Sequence, residues 1–199
     1  TASSRTDVQK TKEIVLPTPL DGQYTQLYTY LTGRGIPSDV IDMLIGYKLL
    51  YQDKVHNNAV FVNIRKNYAE IRGTYMHGKP YHSVIRPRKE EFWSFPSGEH
   101  PQMAYICEAA IDAISLYVIH RYAGVDIAAH YCSIGGVTNQ AAIDNIVAKV
   151  PTAKLAVDND PAGDACASRN NKLERILPIG KDWNEDLQQR LERYICKKI

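Results

Sequence analysis

Residues 103–112 read MAYICEAAID, and residues 154–163 read KLAVDNDPAG. Each stretch begins with a short apolar run, which is typical of a buried strand, and continues into residues that favour a helix. A strand followed by a helix, repeated along a chain, indicates a parallel sheet with right-handed crossovers. The two stretches therefore predict an α/β domain, and in both of them acidic residues come directly after the strand.

The rest of the carboxy-terminal half continues this alternation. Further strands are predicted at 126–133 and 175–179, and helical spacing is found at 109–122, 138–149, 161–173 and 184–197. We therefore assign residues 101–199 to a Rossmann-like parallel sheet flanked by helices. Ligands of such sheets bind beyond the carboxyl ends of the strands, so a site is expected at that edge.

The amino-terminal half has a different pattern. Residues 23–32 carry apolar side chains at helical spacing, and from 48 to 85 the period falls towards two, which is typical of a small antiparallel sheet. The pattern predicts a small α+β subdomain over residues 20–97, preceded by a disordered lead-in at 1–19. The stretch 95–101, which contains two prolines and a glycine, is the linker candidate.

Composition excludes several classes of protein. Hydrophobic residues make up 44% of the 199 residues and charged residues 23%, which is typical of a globular chain and not of a disordered one. A net charge of only +2 argues against binding of nucleic acid over the whole surface. No apolar run approaches the roughly 18 residues of a membrane span, so no membrane partner is expected.

The four cysteines lack the spacing of a zinc site, so we expect reduced thiols and a cytoplasmic location. The chain begins with Thr1 instead of Met, and we therefore expect it to be part of a longer polypeptide.

Carboxylates mark the expected edge of the sheet. Glu108 follows the strand at 103–107 directly, and Asp158 and Asp160 follow the strand in 154–157. Asp112 and Asp164 each lie four residues further on, which is about one helical turn. Together with Asp182, which follows a Gly-Lys turn, these residues are called the acidic rim below.

Crowded carboxylates repel one another unless cations neutralise them. Oxygen ligands of this kind suit Mg²⁺ or Mn²⁺, which also bind substrate phosphates. The candidate metal ligands are Asp158, Asp160, Asp112, Asp164 and Asp182. In the alternative interpretation Asp158 and Asp160 only cap a helix and Glu108 is a surface acid, although capping explains Asp160 alone.

A second cluster of charge lies at residues 65–89, called the basic run below, where seven Lys or Arg side chains accompany one acid, Glu70. Tyrosines and histidines are interleaved with them, a mixture that suits phosphate contact and base stacking. The alternative is a solvated sheet with charged edges. The candidate nucleic-acid-binding residues are Arg65, Lys66, Arg72, Arg86 and Arg88, together with Lys181.

Four segments in order resemble motifs of the Toprim domain of topoisomerases, bacterial-type primases and some nucleases. Residues 107–112 are similar to the E-G-x-x-D motif, and residues 158–163 to D-x-D-x-A-G. Residues 133–138 resemble the loop between these motifs, and residues 180–184 resemble the G-K-D-x-[DN] segment of primase-type members.

The resemblance implies roles for individual residues. Glu108 would be the general acid or base, and Asp158 and Asp160 would bind the metal. Ala109 stands where the family usually has glycine, and Asn184 stands where primases often have a second Asp. These departures predict weaker metal binding with the essential acids intact.

The amino-terminal half extends the resemblance. Residues 30–36 and 40–47 are similar to a segment of primase catalytic cores, and residues 58–61 and 72–74 resemble the small sheet before Toprim in primase-like proteins of plasmids and conjugative elements. The implied partners are DNA, expected to be single-stranded, and nucleoside triphosphates if the chain is a primase.

The leading hypothesis is a Mg²⁺-dependent nucleic-acid enzyme that performs primase-like phosphoryl or nucleotidyl transfer on DNA in the replication of a mobile element. A Toprim nuclease or strand-cleavage enzyme is the first alternative, because it uses the same metal chemistry. A non-catalytic nucleic-acid-binding module of a larger mobilisation protein is the second. The sequence leaves open the choice between primer synthesis and cleavage, and between DNA and RNA.

Overall fold

The computed structural model describes residues 14–75, 80–125 and 127–196. Within them, the helices are α1 (Thr25–Gly33), α2 (Ser38–Gly46), α3 (Ala110–Tyr122), α4 (Gln140–Val147), α5 (Pro161–Arg169) and α6 (Trp183–Cys196). The strands are β1 (Leu50–Gln52), β2 (Ala59–Val62), β3 (Ala69–Arg72), β4 (His82–Ile85), β5 (Trp93–Ser97), β6 (Met103–Cys107), β7 (Ala129–Ser133), β8 (Thr152–Leu155) and β9 (Glu174–Arg175).

The strands form two sheets. The small sheet has the order β1-β2-β3-β4 and is antiparallel throughout, and its strand β2 is buried along its whole length. The large sheet has the order β5-β7-β6-β8-β9, in which all neighbours are parallel except the β5–β7 pair. The predicted fold class, a parallel α/β sheet preceded by a small antiparallel α+β unit, is confirmed.

Strand β5 differs from the sequence analysis, which placed its end in the linker candidate. Residues 93–97 pair antiparallel with β7, and Pro96 lies opposite His130. Proline is tolerated there because β5 is an edge strand, whose outer side needs no backbone donor. The chain therefore enters the large sheet before the first βα unit.

The end of the predicted disordered lead-in also differs. The backbone N–H of Leu20 donates to the carbonyl of Gln52 over 2.8 Å, and that of Lys54 donates to the carbonyl of Thr18 over 2.9 Å. Residues 18–20 thus run beside β1 as an added edge. Residues 1–13 of the lead-in, and His77 and Lys79 of the basic run, lie outside the described residues.

One hydrophobic core joins the two sheets. It includes Phe61 of the small sheet and Trp93 and Phe95 of the large one, whose rings lie 5.4–5.7 Å apart. The Trp93 indole N–H donates to the carbonyl of Leu49 over 3.0 Å. This packing sets the small sheet against the large one. In the part of the chain that the structure describes, no helix is long and apolar enough to cross a membrane.

Candidate active site

Four of the six residues of the acidic rim line a cavity at the carboxyl end of β6 and β8. Strand β6 ends at Cys107, so Glu108 stands directly beyond the sheet, and α3 brings Asp112 back towards it. The backbone N–H of Ala156 donates to the carbonyl of Ile106 over 2.8 Å, which keeps the two strand ends side by side. Four members of the rim line this cavity of about 230 Å³: Glu108, Asp112, Asp158 and Asp182.

The opposite wall of the cavity comes from the amino-terminal half of the chain. Helix α1 and the turn after it contribute Tyr30 and Arg34, β3 contributes Arg72, and the segment before β4 contributes Tyr81. The Arg34 guanidinium lies over the Tyr30 ring, 4.9 Å from its centroid. The cavity is therefore acidic on one wall and basic and aromatic on the other.

Asp158 lies on the acidic wall in a partly buried position among other acids. Burial raises the pKa of its carboxyl to about 7, and the neighbouring Glu108, Asp182 and Asp160 add to the rise. Its Oδ1 atom is buried and has no hydrogen-bond partner among the described residues. A buried carboxylate oxygen without a partner is costly, so this atom suits a bound cation.

Asp112 and Glu108 show the same effect. Burial raises the pKa of Asp112 well above its ordinary value, and the charges of Asp158 and Asp182 add to the rise. Burial also raises the pKa of Glu108, and the charge of Asp160 raises it further. The charges of Lys181 and Arg72 lower it. A carboxyl group whose pKa lies nearer neutrality is suited to proton transfer.

Asp160 caps a helix. Its Oδ1 accepts the backbone N–H groups of Ala162 and Gly163 over 3.0 and 2.9 Å at the start of α5. Gly163 is required at this turn, because a Cβ there would collide with the carbonyl oxygen of Asp158. The D-x-D-x-A-G motif thus brings the start of α5 against the end of β8, and one oxygen of Asp160 stays outside these two bonds.

Asp164 is separated from the rest of the acidic rim. Its carboxylate pairs with the Arg175 guanidinium over 2.7 Å and is largely exposed. Arg175 also donates to the carbonyl of Asp158 over 2.9 Å. The structure therefore places Asp164 in a surface ion pair that supports the strand end from outside the cavity.

The residues present fit a divalent ion, although the ligands are not fully gathered. Within the described residues, no three Asp, Glu, His or Cys side chains are already placed to hold one ion together. Mg²⁺ is usually bound by one or two carboxylates together with water and substrate phosphates, so a complete protein cage is not needed. The all-oxygen donor set satisfies this requirement, as does the Oδ1 of Asp158, which has no partner in the described part of the chain.

The residues of the basic run lie in different parts of the structure. Arg72 reaches the cavity, and its buried Nε has no hydrogen-bond partner among the described residues. Arg86 donates to the carbonyl of Ile134 over 3.5 Å, on the loop after β7, and Lys66 donates to the carbonyl of Lys48. The remaining candidates are exposed side chains: Arg65, Arg88, which pairs with Glu90 over 3.9 Å, and Lys181.

The role of Arg34 and Asn184 was not predicted. Arg34 donates to Oδ1 of Asn184 over 3.0 Å, and Nδ2 of Asn184 donates to the carbonyl of Arg34 over 2.9 Å and to Oγ of Ser115 over 3.0 Å. An aspartate could not donate these last two bonds, which explains why an amide stands here. Asn184 therefore ties α6 to α1 and holds Arg34 at the cavity.

Each half of the chain matches a known protein family. Residues 105–187 match a family model described as Toprim-like, and residues 29–92 match one described as a protein of unknown function (DUF3991). No curated protein matches.

Two solved structures share the fold. The primase fragment of the bacteriophage T7 primase-helicase protein matches with a TM-score of 0.56 at 12% identity, covering 96% of this chain and 82% of that one. A chain from the complex of the T7 lagging-strand DNA polymerase with primase domains matches with a TM-score of 0.52 at 16% identity, covering 84% and 88%. Residues 105–187 are therefore Toprim-like, and the chain shares the fold of the T7 primase fragment.

Proposed function

We propose that this chain is a Mg²⁺- or Mn²⁺-dependent nucleic-acid enzyme that carries out primase-like nucleotidyl transfer on DNA. One observation carries the proposal. Among the residues that the structure describes, this cavity is lined by Asp158, with a buried carboxylate oxygen that has no donor, and by Arg72, with a buried guanidinium nitrogen that has no acceptor. A metal-bound phosphate satisfies both groups at once, because it brings a cation to the first and an anion to the second.

The acidic wall would hold the ion. Asp158 would be the principal ligand, and Asp112, Asp182 and the free oxygen of Asp160 would complete the set. When bound, a divalent ion neutralises phosphate charge and stabilises the attacking and leaving oxygens. Asp164 stays in its ion pair with Arg175, and we propose for it only a supporting role.

The protein's other side chains would orient the substrate and move the proton. Glu108 accepts the proton of the attacking hydroxyl or donates one to the leaving group, for which its raised pKa suits it. Arg72 and Arg34 bind phosphate oxygens, and Tyr30 and Tyr81 offer aromatic faces to a base. Arg86 and Lys181 would extend the phosphate contacts beyond the cavity.

The proposed partners are single-stranded DNA and nucleoside triphosphates. The T7 primase domains in the second structure are bound to an RNA/DNA hybrid and dTTP, and the shared fold supports ligands of these classes here. The sequence resemblance to primase-like proteins of plasmids supports a role in the replication of a mobile element, with the enzyme acting in the cytoplasm.

A primer-synthesis assay tests the proposal. The chain is incubated with single-stranded DNA, labelled ribonucleotides and Mg²⁺ or Mn²⁺, and the products are separated by length. We expect short labelled primers from the wild type and none from Asp158→Asn, with Asp144→Asn, on the exposed side of α4, as the matched control. Shortened DNA without primers would identify a cleavage enzyme, and unchanged DNA with no primers would refute catalysis by this chain.

A further inference from the structure

Glu70 is a buried acid that the catalytic proposal does not use. It lies in β3 of the small sheet, it is the one acid of the basic run, and none of its surface is exposed. Its carboxylate accepts three hydrogen bonds, from the Tyr68 hydroxyl over 2.9 Å, from the Ser133 hydroxyl and from the backbone N–H of Ala110 over 2.9 Å. Two of these three donors belong to the large sheet and its first helix.

The bond to Ala110 supplies something that α3 lacks. The first backbone N–H groups of a helix have no partner within the helix, and they are usually satisfied by the side chain of the residue before it. That residue is Ala109, which has no side chain able to accept a hydrogen bond. Glu70 provides the acceptor from 40 residues away, and its negative charge also suits the positive end of the helix dipole.

The hydrogen bond from Ser133 to Glu70 brings the Ser133 hydroxyl to the carbonyl group of Glu108, on the other side of Ala109 from the Ala110 amide. The Ser133 hydroxyl lies 3.2 Å from the carbonyl oxygen of Glu108, which also accepts the backbone N–H of Gly136 over 3.1 Å. Glu70 therefore contacts both groups that bracket the backbone of Glu108: the helix start after it and the hydroxyl beside its carbonyl.

We propose that Glu70 is a positioning residue that fixes the backbone of Glu108 by capping α3 from the opposite sheet. The inference rests on the proposed proton-transfer role of Glu108. The small sheet would then have two roles in the site. Its strand β3 presents Arg72 to the cavity, and Glu70 of the same strand holds the backbone of Glu108 in place.

Geometry, more than charge, carries this role. Burial raises the pKa of Glu70, and its hydrogen bonds and the nearby Arg72 oppose that rise. A glutamine can keep the bond from Ala110 through its carbonyl oxygen. Its amide can donate to the hydroxyls of Tyr68 and Ser133, which are free to rotate and accept.

The test compares Glu70→Ala, Glu70→Gln and a control, Glu91→Ala. Glu91 is also a buried glutamate, and it accepts hydrogen bonds from Asn63 and Asn67, away from α3. The first readout is hydrogen exchange of the Ala110 amide by NMR. We expect exchange at least about tenfold faster in Glu70→Ala and within about threefold of wild type in the other two. Equal exchange in Glu70→Ala and Glu91→Ala would overturn the proposal.

The second readout is steady-state kinetics in the assay that detects activity. Glu70→Ala should lower kcat at least about tenfold with KM within about twofold, Glu70→Gln should restore most of kcat, and Glu91→Ala should resemble wild type. A rise in KM at unchanged kcat, or a glutamine as impaired as the alanine, would overturn positioning through hydrogen bonds. An inactive wild type would refute the proposed function, and the exchange measurement would still decide the capping.

Ser133→Ala provides a second route if Glu70→Ala does not fold. This small change removes the hydroxyl between Glu70 and the Glu108 carbonyl and leaves the bond to Ala110 in place. We expect a decrease in kcat of about threefold or more at unchanged KM, and an unchanged kcat would contradict the proposal.

Discussion

The acidic rim and the basic run were both predicted from clustering of charge, yet only the acidic rim has most of its members at one place. Glu108, Asp112, Asp158 and Asp182 come from separate segments of the chain and line a single cavity. The basic run is continuous in sequence, but of its five candidates only Arg72 reaches that cavity.

The difference follows from where the two sets of residues lie relative to the strands. Carboxyl ends of neighbouring parallel strands meet at one edge of a sheet, whatever the number of residues between them. Of the candidates in the basic run, only Arg72 lies in a strand, whereas Arg65 and Lys66 lie in the turn before β3, and Arg86 and Arg88 follow β4. Side chains two residues apart along a strand point to the same face. Arg72 and Glu70, two residues apart on β3, thus face the same way, towards the large sheet.

The largest expected effect concerns Glu108. Glu108→Gln keeps the shape of the side chain and removes its basicity, so turnover should fall by roughly 10² to 10⁴. Primer synthesis under saturating substrate measures the effect. DNA binding should persist, because the change removes a negative charge near the phosphates.

Glu99→Gln is the control, since Glu99 is exposed before β6 and lies outside the cavity lining. Full activity in Glu108→Gln would reassign the acidic rim to metal or nucleic-acid binding without proton transfer.

The next effect concerns the basic run and separates Arg72 from Arg65. Arg72→Ala should weaken single-stranded DNA binding by about tenfold and reduce the slope of log K against log salt by roughly 0.7, the value for one phosphate contact on a single strand. Arg65→Ala removes an exposed side chain outside the cavity lining and should change neither quantity measurably. Fluorescence anisotropy at several salt concentrations measures both, and equal slopes for the two variants would restore the basic run as one binding surface.

A third prediction concerns the pH dependence of stability without metal. Because the pKa of Asp158 is about 7 in the folded protein and lies near 4 in the unfolded chain, the folded state holds the proton more tightly between these values. Stability from this group is present in full below pH 4 and is lost as the pH rises through 7. Asp158→Asn avoids the loss and should be more stable than wild type at pH 8 by about 1 to 2 kcal/mol, allowing for partial exposure.

Urea unfolding in EDTA at pH 5 and pH 8 measures this difference. Millimolar Mg²⁺ should reverse the order at pH 8, since an ion that binds only the folded wild type stabilises it by mass action. If the free energy of unfolding depends on pH in the same way in both proteins, the pKa of Asp158 is not raised in the folded state and the prediction is wrong.

The sequence analysis predicted those features of the site that depend on strand order and on local motifs. The two strand ends placed Glu108 beside Asp158, and the helical spacing placed Asp112 near both. The contacts between Arg34 and Asn184, which lie 150 residues apart, depend on how α1 packs against α6, and no local pattern encodes that packing. Glu70 was visible only as the single acid among basic residues.

The sequence analysis and the structure also differed at the ends of strands and helices. Pro96 indicated a linker, although an edge strand tolerates proline equally well, and only the pairing with β7 decides between them. Asp160 carried two readings, a helix cap and a metal ligand, and the structure shows the cap while leaving one oxygen free for the other role.

The smallest expected effect divides the acidic rim itself. Asp164 was grouped with the metal ligands because it lies one helical turn beyond Asp160, but that turn leads along α5 to Arg175 instead of into the cavity. Its ion pair is largely exposed on the Asp164 side, and such pairs contribute between 0 and about 1 kcal/mol. Asp164→Asn should therefore lower stability by less than about 1 kcal/mol and leave the Mg²⁺-induced rise in melting temperature unchanged, whereas Asp158→Asn abolishes that rise. Calorimetry of both variants with and without Mg²⁺ makes the comparison, and an equal loss of the metal response would return Asp164 to the ligand set and require α5 to shift when the ion binds.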